Sequence, residues 1–291
     1  MKRIIILIPV FNDWESLENL ISDIEQNIKD IKNFLFDCYI INDASTTNIT
    51  LKIKFEKIRS LKILNMKKNK GHARCNAFGI RYVIEKEKFD YLMLMDGDGE
   101  DRPSEIKSLM NSISINPEIS VVAKRVKRAE GLLFQFLYQT HKLITYLFTG
   151  NNVNFGNYSC LIKKDVEILF NKASLWSSYS GTVKKNLQNL NEINSIRGLR
   201  YFGPSKMSLY KLIIHSFSII AVFKYKVLVR SILFIIFFSM ITSMIGKISI
   251  FFQILLIIFT CIIFIISLRE NKSALTNSLN NLDSTEVVKH Q

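Results

Sequence analysis

The 291 residues are 48% apolar and carry 39 lysines and arginines against 25 acidic residues, which gives a formal charge of +14. This composition excludes a disordered chain, because it can bury a large core, and it allows one large or two modest domains. The basic excess indicates an anionic partner, which could be a nucleic acid, a phosphorylated substrate or a membrane surface. The four cysteines lie far apart without CxxC spacing, which argues against a zinc site or a disulfide framework.

A repeated strand-helix pattern fills the N-terminal part of the chain. The run IIILIPV at residues 4–10 predicts a buried first strand and not a signal peptide, and Asn12 or Asp13 can cap the helix that follows. Further strands, each followed by a helical stretch, are predicted at residues 38–41, 61–64 and 91–95. This alternation predicts an α/β fold with a mostly parallel sheet that is covered on both faces.

The polar segments after these strands should converge on one edge, since ligands of parallel sheets bind at the carboxyl ends of strands. The segments are residues 9–13, 42–46, 69–74 and 96–101. In the last one, Asp96 and Asp98 directly follow a strand, and the glycines beside them allow close backbone approach. Carboxylates suit Mg²⁺ or Mn²⁺, and a metal would let an acidic edge hold a phosphate-bearing ligand. The spacing is wrong for a calcium loop, so a solvated acidic turn is the remaining alternative.

Two apolar runs near the C-terminus predict a pair of transmembrane helices. Residues 227–245 contain one charge and residues 248–268 contain none, and each run is long enough to cross a bilayer. A buried hairpin of a soluble domain is the alternative, but neither run has a polar face to present to water. Positive residues at both outer ends place the N-terminal part and the tail in the cytoplasm. The polar tail from residue 271 is expected to be loosely ordered.

Five motifs in a fixed order give the chain a resemblance to a known family. The motifs are IPVFNDWESL, INDAST, NKGHARCNAFGI, MDGDGEDRP and FGPSKMSLYKLI. They resemble segments of family 2 glycosyltransferases with the GT-A fold, and among these the polyprenol-phosphate glycosyltransferases of the dolichol-phosphate mannose synthase type. The resemblance covers residues 3–225. Together with the apolar runs it implies a GT-A domain at 1–205, a membrane-interface helix at 206–226, two transmembrane helices at 227–268 and a polar cytoplasmic tail at 269–291.

The resemblance also implies roles for individual residues. The nucleotide-binding residues would be Pro9, Asp43, Gly71, Arg74 and Asp96, with Asp43 as a partner for the base. The metal ligands would be Asp98 and Asp96, which hold Mg²⁺ or Mn²⁺ against the diphosphate, and the catalytic residues would be Asp98 and Asp101. The acceptor-binding residues would be Asn157, Ser205 and Lys206. His72 follows Gly71 at the start of a helix that faces the site, although a plain loop glycine remains an alternative for Gly71.

Some positions depart from the pattern of the family. Asn42 replaces the first acid of the VDDGS segment, and Asn157 and Ser159 stand where many relatives have Asp and Arg. A phosphate oxygen is ionised near neutral pH and can attack without a general base, so losing the acid is compatible with a lipid-phosphate acceptor. For a hydroxyl acceptor, Glu100 or Asp101 would have to supply the base. The missing arginine instead points to a different acceptor.

The sequence therefore predicts a membrane-anchored, metal-dependent, inverting glycosyltransferase, a hexosyltransferase that uses a UDP- or GDP-sugar and a membrane lipid, with polyprenyl phosphate as the leading acceptor. The alternatives are transfer to a hydroxyl of a lipid-linked glycan in cell-envelope synthesis, and a catalytically weakened membrane scaffold. The lysines before the first apolar run fit either acceptor binding or ordinary flanking charge. No nucleic-acid-binding motif accompanies the charge. The expected location is the inner (cytoplasmic) membrane with two crossings, and a homo-oligomer stays open.

Overall fold

A computed structural model describes residues 1–48, 51–127, 132–203 and 208–288. Within these residues eight strands form one sheet: β1 (Lys2–Val10), β2 (Phe34–Asn42), β3 (Ile58–Met66), β4 (Tyr91–Leu94), β5 (Val121–Lys127), β6 (Phe155–Ile162), β7 (Asn191–Ile196) and β8 (Leu282–Val288). The helices described are α1 (Trp14–Ile28), α2 (His72–Lys86), α3 (Ile106–Ile115), α4 (Leu132–Thr149), α5 (Lys163–Leu169), α6 (Tyr179–Asn186), α7 (Leu209–Ala221), α8 (Lys224–Met240), α9 (Thr242–Ile245), α10 (Lys247–Ser267) and α11 (Lys272–Thr276). Short 3₁₀ turns lie at Pro103–Glu105, Ala173–Trp176 and Ser278–Asn281.

The sheet has the strand order β7-β5-β6-β4-β1-β2-β3-β8. Strands β3, β2, β1 and β4 are parallel, whereas β6 and β8 run antiparallel to the neighbours β4 and β3. The central strand β1 is apolar throughout because helices cover both of its faces. Ile4, Ile6 and Ile8 are buried with the apolar faces of α1 and α3, and Ile5 and Leu7 are buried with α2. The predicted α/β fold with a mostly parallel sheet is confirmed.

The predicted helical stretch after β2 is wrong for the part that the structure describes, where residues 43–48 and 51–57 contain no helix. Ile53 and Phe55 are buried in the core from an irregular segment. The carboxylate of Glu25 on α1 accepts the backbone N–H groups of residues 56–58 at 2.7–2.9 Å. These hydrogen bonds satisfy backbone N–H groups that helical hydrogen bonds would otherwise have satisfied. The non-helical segment that leads into β3 is therefore stable.

The expectation of a loosely ordered tail is also wrong. After α10 the chain forms α11 and a 3₁₀ turn, and then β8 pairs with β3 as the last strand of the sheet. Leu275 is fully buried against the α2 layer, and Leu282 packs there as well. The polar composition hid these two anchors, because an edge strand exposes most of its side chains to water.

The apolar runs form the antiparallel helices α8 and α10, which contact each other through Ser231 and Thr260 at 2.8 Å. Lys224 at the start of α8 also pairs with Glu270, just after α10, at 3.4 Å. In the described part of the chain, one helix, which begins at Lys247, is long and apolar enough to cross a membrane. Most of its large apolar side chains are exposed, which is unlike the core helix of a soluble protein. Helix α8 has 17 residues, so a second crossing stays a prediction.

Candidate active site

The four predicted polar segments lie together at the carboxyl ends of β1–β4. The backbone N–H of Asn12 donates to Ser45 Oγ at 2.9 Å, which joins the loops after β1 and β2. A Cβ at Gly97 would lie 2.9 Å from the carbonyl oxygen of Pro9, so the turn after β4 packs directly on the end of β1. The predicted convergence is therefore confirmed, and Pro9 contributes backbone packing at this edge.

The acidic turn after β4 is closed by its own carboxylates. Asp101 accepts the backbone N–H of Asp96 at 2.9 Å, and Asp98 accepts that of Glu100 at 3.0 Å. Gly99 has a φ of +87°, and a Cβ there would lie 2.4 Å from the ring of Tyr201. The second glycine is therefore required by both backbone and packing. Asp101 holds the turn, and its predicted catalytic role stays a prediction.

Asp96 lies between an amide and an imidazole. Its Oδ1 accepts from Asn157 Nδ2 at 3.0 Å and lies 3.2 Å from His72 Nε2. Burial would raise the pKa of Asp96, but the charge and hydrogen bond of His72 outweigh it and hold the pKa below its usual range. Burial likewise opposes charge on His72, and Asp96 raises its pKa. Asn157 thus donates a hydrogen bond to Asp96, whereas a carboxylate at position 157 would repel it. The acceptor-binding role of Asn157 stays a prediction.

The neighbouring carboxylates repel one another. Burial and the charge of Asp96 raise the pKa of Asp98 to about 6 and that of Asp101 to about 8. A divalent cation would relieve this repulsion, and carboxylate oxygens suit Mg²⁺ or Mn²⁺, so Asp96 and Asp98 fit a metal. Among the described residues no three His, Cys, Asp or Glu side chains form a metal site by themselves. Water or phosphate oxygens would have to complete the coordination.

A loop after β7 covers the acidic turn, and the sequence reasoning missed it. Arg200 contacts Asp98 through Nη1 and donates to Asp13 through Nη2 at 2.8 Å, while Arg197 contacts Glu100. Asp13 precedes α1, but its carboxylate makes no hydrogen bond to the helix backbone, so it serves Arg200 and not as the predicted cap. The signal in the sequence was RGLR, with two arginines three residues apart directly after a strand.

The loop before α2 is held by Asp43. Its two carboxylate oxygens accept the backbone N–H groups of Lys70 at 2.7 Å and Gly71 at 2.8 Å. Burial raises the pKa of Asp43, and these two hydrogen bonds oppose the rise. Gly71 directly precedes α2, and its φ of +84° is not helical. Its backbone N–H donates to Asp43. The nucleotide-binding roles of Asp43 and Gly71 stay predictions.

The remaining predicted residues lie around this centre. The Arg74 guanidinium lies 5.8 Å from the centre of the Trp176 ring, and its pKa is lowered by burial and by Arg269 beyond α10. Arg74 Nη1 also donates to the carbonyl oxygen of Lys70 at 3.4 Å, and the nucleotide-binding role of Arg74 stays a prediction. The predicted acceptor residues Ser205 and Lys206 lie outside the described residues.

Helix α7 carries a histidine, His215, whose pKa is lowered. Burial, followed by the charges of His72 and Arg125, lowers the pKa of His215 to about 4. His215 shares a helix face with Ile219 and Val222, which are buried. No metal-ligand spacing accompanies His215 in the sequence. Its helical spacing from two buried residues was the signal that it faces the protein.

Comparisons with known proteins agree with this geometry. A sequence profile described as Glycosyl transferase family 2 matches residues 5–177. An uncharacterized protein of Methanocaldococcus jannaschii is 26% identical over 113 residues, which are 38% of this chain and 46% of that protein. The chain thus spans less than half the length of this curated relative.

Solved structures with the same fold include glucosyl-3-phosphoglycerate synthase from Mycobacterium tuberculosis, in complex with Mn²⁺, uridine-diphosphate-glucose and phosphoglyceric acid. Its TM-score is 0.52 at 14% identity, with 78% of this chain and 80% of that chain covered. Mannosyltransferase PcManGT from Pyrobaculum calidifontis, in complex with GDP-Man and Mn²⁺, has a TM-score of 0.48 at 9% identity and covers 92% and 87% of the two chains. The first of these likenesses shows the fold alone.

Proposed function

Because the chain belongs to glycosyl transferase family 2, we propose that it is a membrane-anchored, metal-dependent, inverting glycosyltransferase related to the dolichol-phosphate mannose synthase type. It transfers a sugar from a nucleoside diphosphate sugar, a UDP- or GDP-sugar, to a membrane lipid. The observation that carries the proposal is the pair Asp96 and Asp98 on a tight turn at the ligand-binding edge of the sheet.

The acidic turn and its surrounding cations suit a diphosphate. Asp96 and Asp98 would hold the Mg²⁺ or Mn²⁺, and the Mn²⁺ and UDP-glucose in the mycobacterial structure support this assignment. When bound, the metal stabilises the negative charge that develops on the leaving diphosphate. Arg200 and Arg197 lie over the turn and His72 lies beside it, so the chain supplies its own positive charge toward the same group.

The path of the chain supports two membrane crossings. Strand β8 pairs with β3, so the chain has to return to the side of the sheet domain after α10. If α10 crosses the bilayer, a second crossing must precede it, and α8 with α9 is the helical segment adjacent to it. Residues 224–245 number 22, which at about 1.5 Å per residue reach across a hydrocarbon core of about 30 Å. A multi-pass anchor with the sheet domain in the cytoplasm is therefore proposed.

Polyprenyl phosphate is the proposed acceptor. Glu100 contacts Arg197, and Asp101 accepts the backbone N–H of Asp96, so both candidate bases already have partners. A lipid phosphate needs no general base, because it is already ionised near neutral pH. Lys211, Lys224 and Lys226 lie on α7 and the start of α8, where the headgroup of such a lipid would meet them.

Transfer to a hydroxyl of a lipid-linked glycan is the second candidate. The observation in its favour is the pKa of Asp101, which burial and Asp96 raise to about 8 and which would suit a general base near neutral pH. The two candidates differ in their acceptor. Purified enzyme given the same donor should glycosylate polyprenyl phosphate under the first proposal and a lipid-linked glycan under the second.

The test is a screen of UDP- and GDP-sugars with the full chain in lipid nanodiscs containing polyprenyl phosphate. We expect a glycolipid product that requires Mg²⁺ or Mn²⁺, and we expect Asp98→Asn to lower turnover by about 100-fold or more. Asp30→Asn, which removes an exposed carboxylate at the end of α1, is the matched control. Full activity of Asp98→Asn would contradict the metal assignment. Failure of every nucleoside diphosphate to raise the melting temperature would favour a scaffold instead.

A further inference from the structure

We propose that the C-terminal strand β8 positions the nucleotide-binding edge through hydrogen bonds from Asn65 to Ser284 and Glu286. The inference rests on the proposed function, since it assigns residues beyond the apolar helices to the donor site of the same enzyme. Asn65 and Glu286 are then positioning residues, which affect the binding of the nucleotide-sugar through Asn42.

A continuous chain of side-chain hydrogen bonds runs from β8 to the loop after β2. Asn65 Nδ2 donates to Glu286 Oε1 at 2.6 Å and to Ser284 Oγ at 3.0 Å. Asn65 Oδ1 accepts from Asn42 Nδ2 at 2.8 Å, and Asn42 Oδ1 in turn accepts the backbone N–H of Ser45 at 2.9 Å. The chain therefore joins an exposed edge strand to the loop that follows β2.

The chemistry of an amide makes this chain directional. The NH₂ group only donates and the oxygen only accepts, so anchoring the NH₂ group of Asn65 on Glu286 turns its oxygen toward Asn42. Asn42 then has to present its own NH₂ group to Asn65 and its oxygen to the loop. Without the acceptors on β8, Asn65 is free to reverse its amide, and two NH₂ groups would face each other.

The same segment also contacts the loop before α2. The backbone N–H of Lys67 donates to the carbonyl oxygen of Asn281 at 2.8 Å, and Asn281 Nδ2 donates to that of Lys68 at 3.0 Å. Asp43 holds the other end of this loop through Lys70 and Gly71. The loop after β3 therefore contacts residues that follow α10 directly, and the loop after β2 is linked to them through Asn42 and Asn65.

The placement of side chains on β8 separates positioning from plain strand pairing. Ser284 lies opposite Asn65 in the register, and Glu286 lies two residues further along on the same face. Thr285 lies opposite Leu64 and points to the other face. Backbone pairing with β3 needs none of these side chains, so a variant at 286 can remove the shorter of the two hydrogen bonds that anchor Asn65 and leave the strand in place.

The test compares Glu286→Ala with Glu286→Gln and with Thr285→Ala in the full chain. Glu286→Ala should raise the donor KM and the Kd for the nucleoside diphosphate about tenfold, with kcat within about twofold of the parent. Glu286→Gln should restore both constants, because its amide oxygen still accepts from Asn65. Thr285→Ala should leave both unchanged, and all three should melt within a few degrees of the parent.

Two further outcomes complete the test. An unchanged nucleotide Kd in Glu286→Ala would overturn the inference. A lower kcat and a lower melting temperature in Glu286→Ala that Glu286→Gln does not restore would also overturn it. A parent chain that binds no nucleoside diphosphate overturns the proposed function and this inference together. The double variant Asn42→Ala with Glu286→Ala should raise the Kd for the nucleoside diphosphate no more than the more severe single variant does. The reason is that both residues act in one chain of hydrogen bonds.

Discussion

Replacing Arg200 with glutamine should tighten the binding of Mn²⁺ in the absence of nucleotide. The guanidinium of Arg200 contacts one oxygen of Asp98 and donates to Asp13 at 2.8 Å. A cation that binds Asp98 has to displace this guanidinium and is repelled by its charge. Arg200 therefore competes with the metal for the same carboxylate as long as no diphosphate is present.

The size of the effect follows from the burial of the pair. The side chains of Arg200 and Asp98 are 15% and 17% exposed, so water screens their interaction less than that of a surface pair. A hydrogen bond to a charged group contributes about 1.5–3 kcal/mol, and the lower end applies here because Arg200 keeps part of its interactions through Asp13. We therefore expect the Kd for Mn²⁺ to fall about tenfold.

Calorimetric titration of the full chain with Mn²⁺ measures this change. Burial and Asp96 raise the pKa of Asp98 to about 6 while Arg200 lowers it, so the titration belongs at about pH 8, where the carboxylate stays ionised in the variant. Arg197→Gln is the control, because it removes the same charge from the same loop. Arg197 contacts Glu100 and not Asp98. A Kd for Arg200→Gln that is unchanged or higher would refute the competition.

Other features of the structure give further predictions. Glu25→Ala should lower the free energy of unfolding by about 3 kcal/mol and Glu25→Gln by less, because one carboxylate accepts three backbone N–H groups. Equal melting temperatures of the parent and both variants would contradict this. In sealed vesicles, an impermeant maleimide should label Ser243→Cys and Ser273→Cys from opposite sides, and labelling from one side contradicts the two crossings. Asn157→Asp should lower metal-dependent turnover about tenfold by repelling Asp96, with Asn157→Ala as the uncharged control.

The central strands could be predicted because burial on both faces leaves an unbroken apolar run in the sequence. The four parallel strands and the helices α1, α2 and α3 all carry such local signals. Strand β8 carries none, since most of its side chains are exposed and its partner β3 lies more than 200 residues earlier. The pairing of Asn65 with Glu286 spans 221 residues, and no local pattern announces a contact of that range.

The site divides in the same way. Asp96 and Asp98 were found because a strand end fixes where they lie, and the rule for parallel sheets then says which edge they share. Arg200 was missed because a loop brings it to that edge through a tertiary contact. The base-binding role of Asp43 stays a prediction, and its hydrogen bonds to the loop before α2 had no local signal in the sequence.

The two amides that depart from the acidic pattern of the family both take part in the hydrogen bonding of the sheet edge. Asn157 donates to Asp96, and Asn42 donates to Asn65. Each amide makes a donor hydrogen bond that the acid it replaces could not make when ionised. Asn157 also avoids a negative charge next to Asp96, whose charge already raises the pKa values of Asp98 and Asp101. At position 157 the exchange therefore gives Asp96 one more hydrogen-bond donor and one less repulsive neighbour, which would favour the metal and the diphosphate of the proposed function.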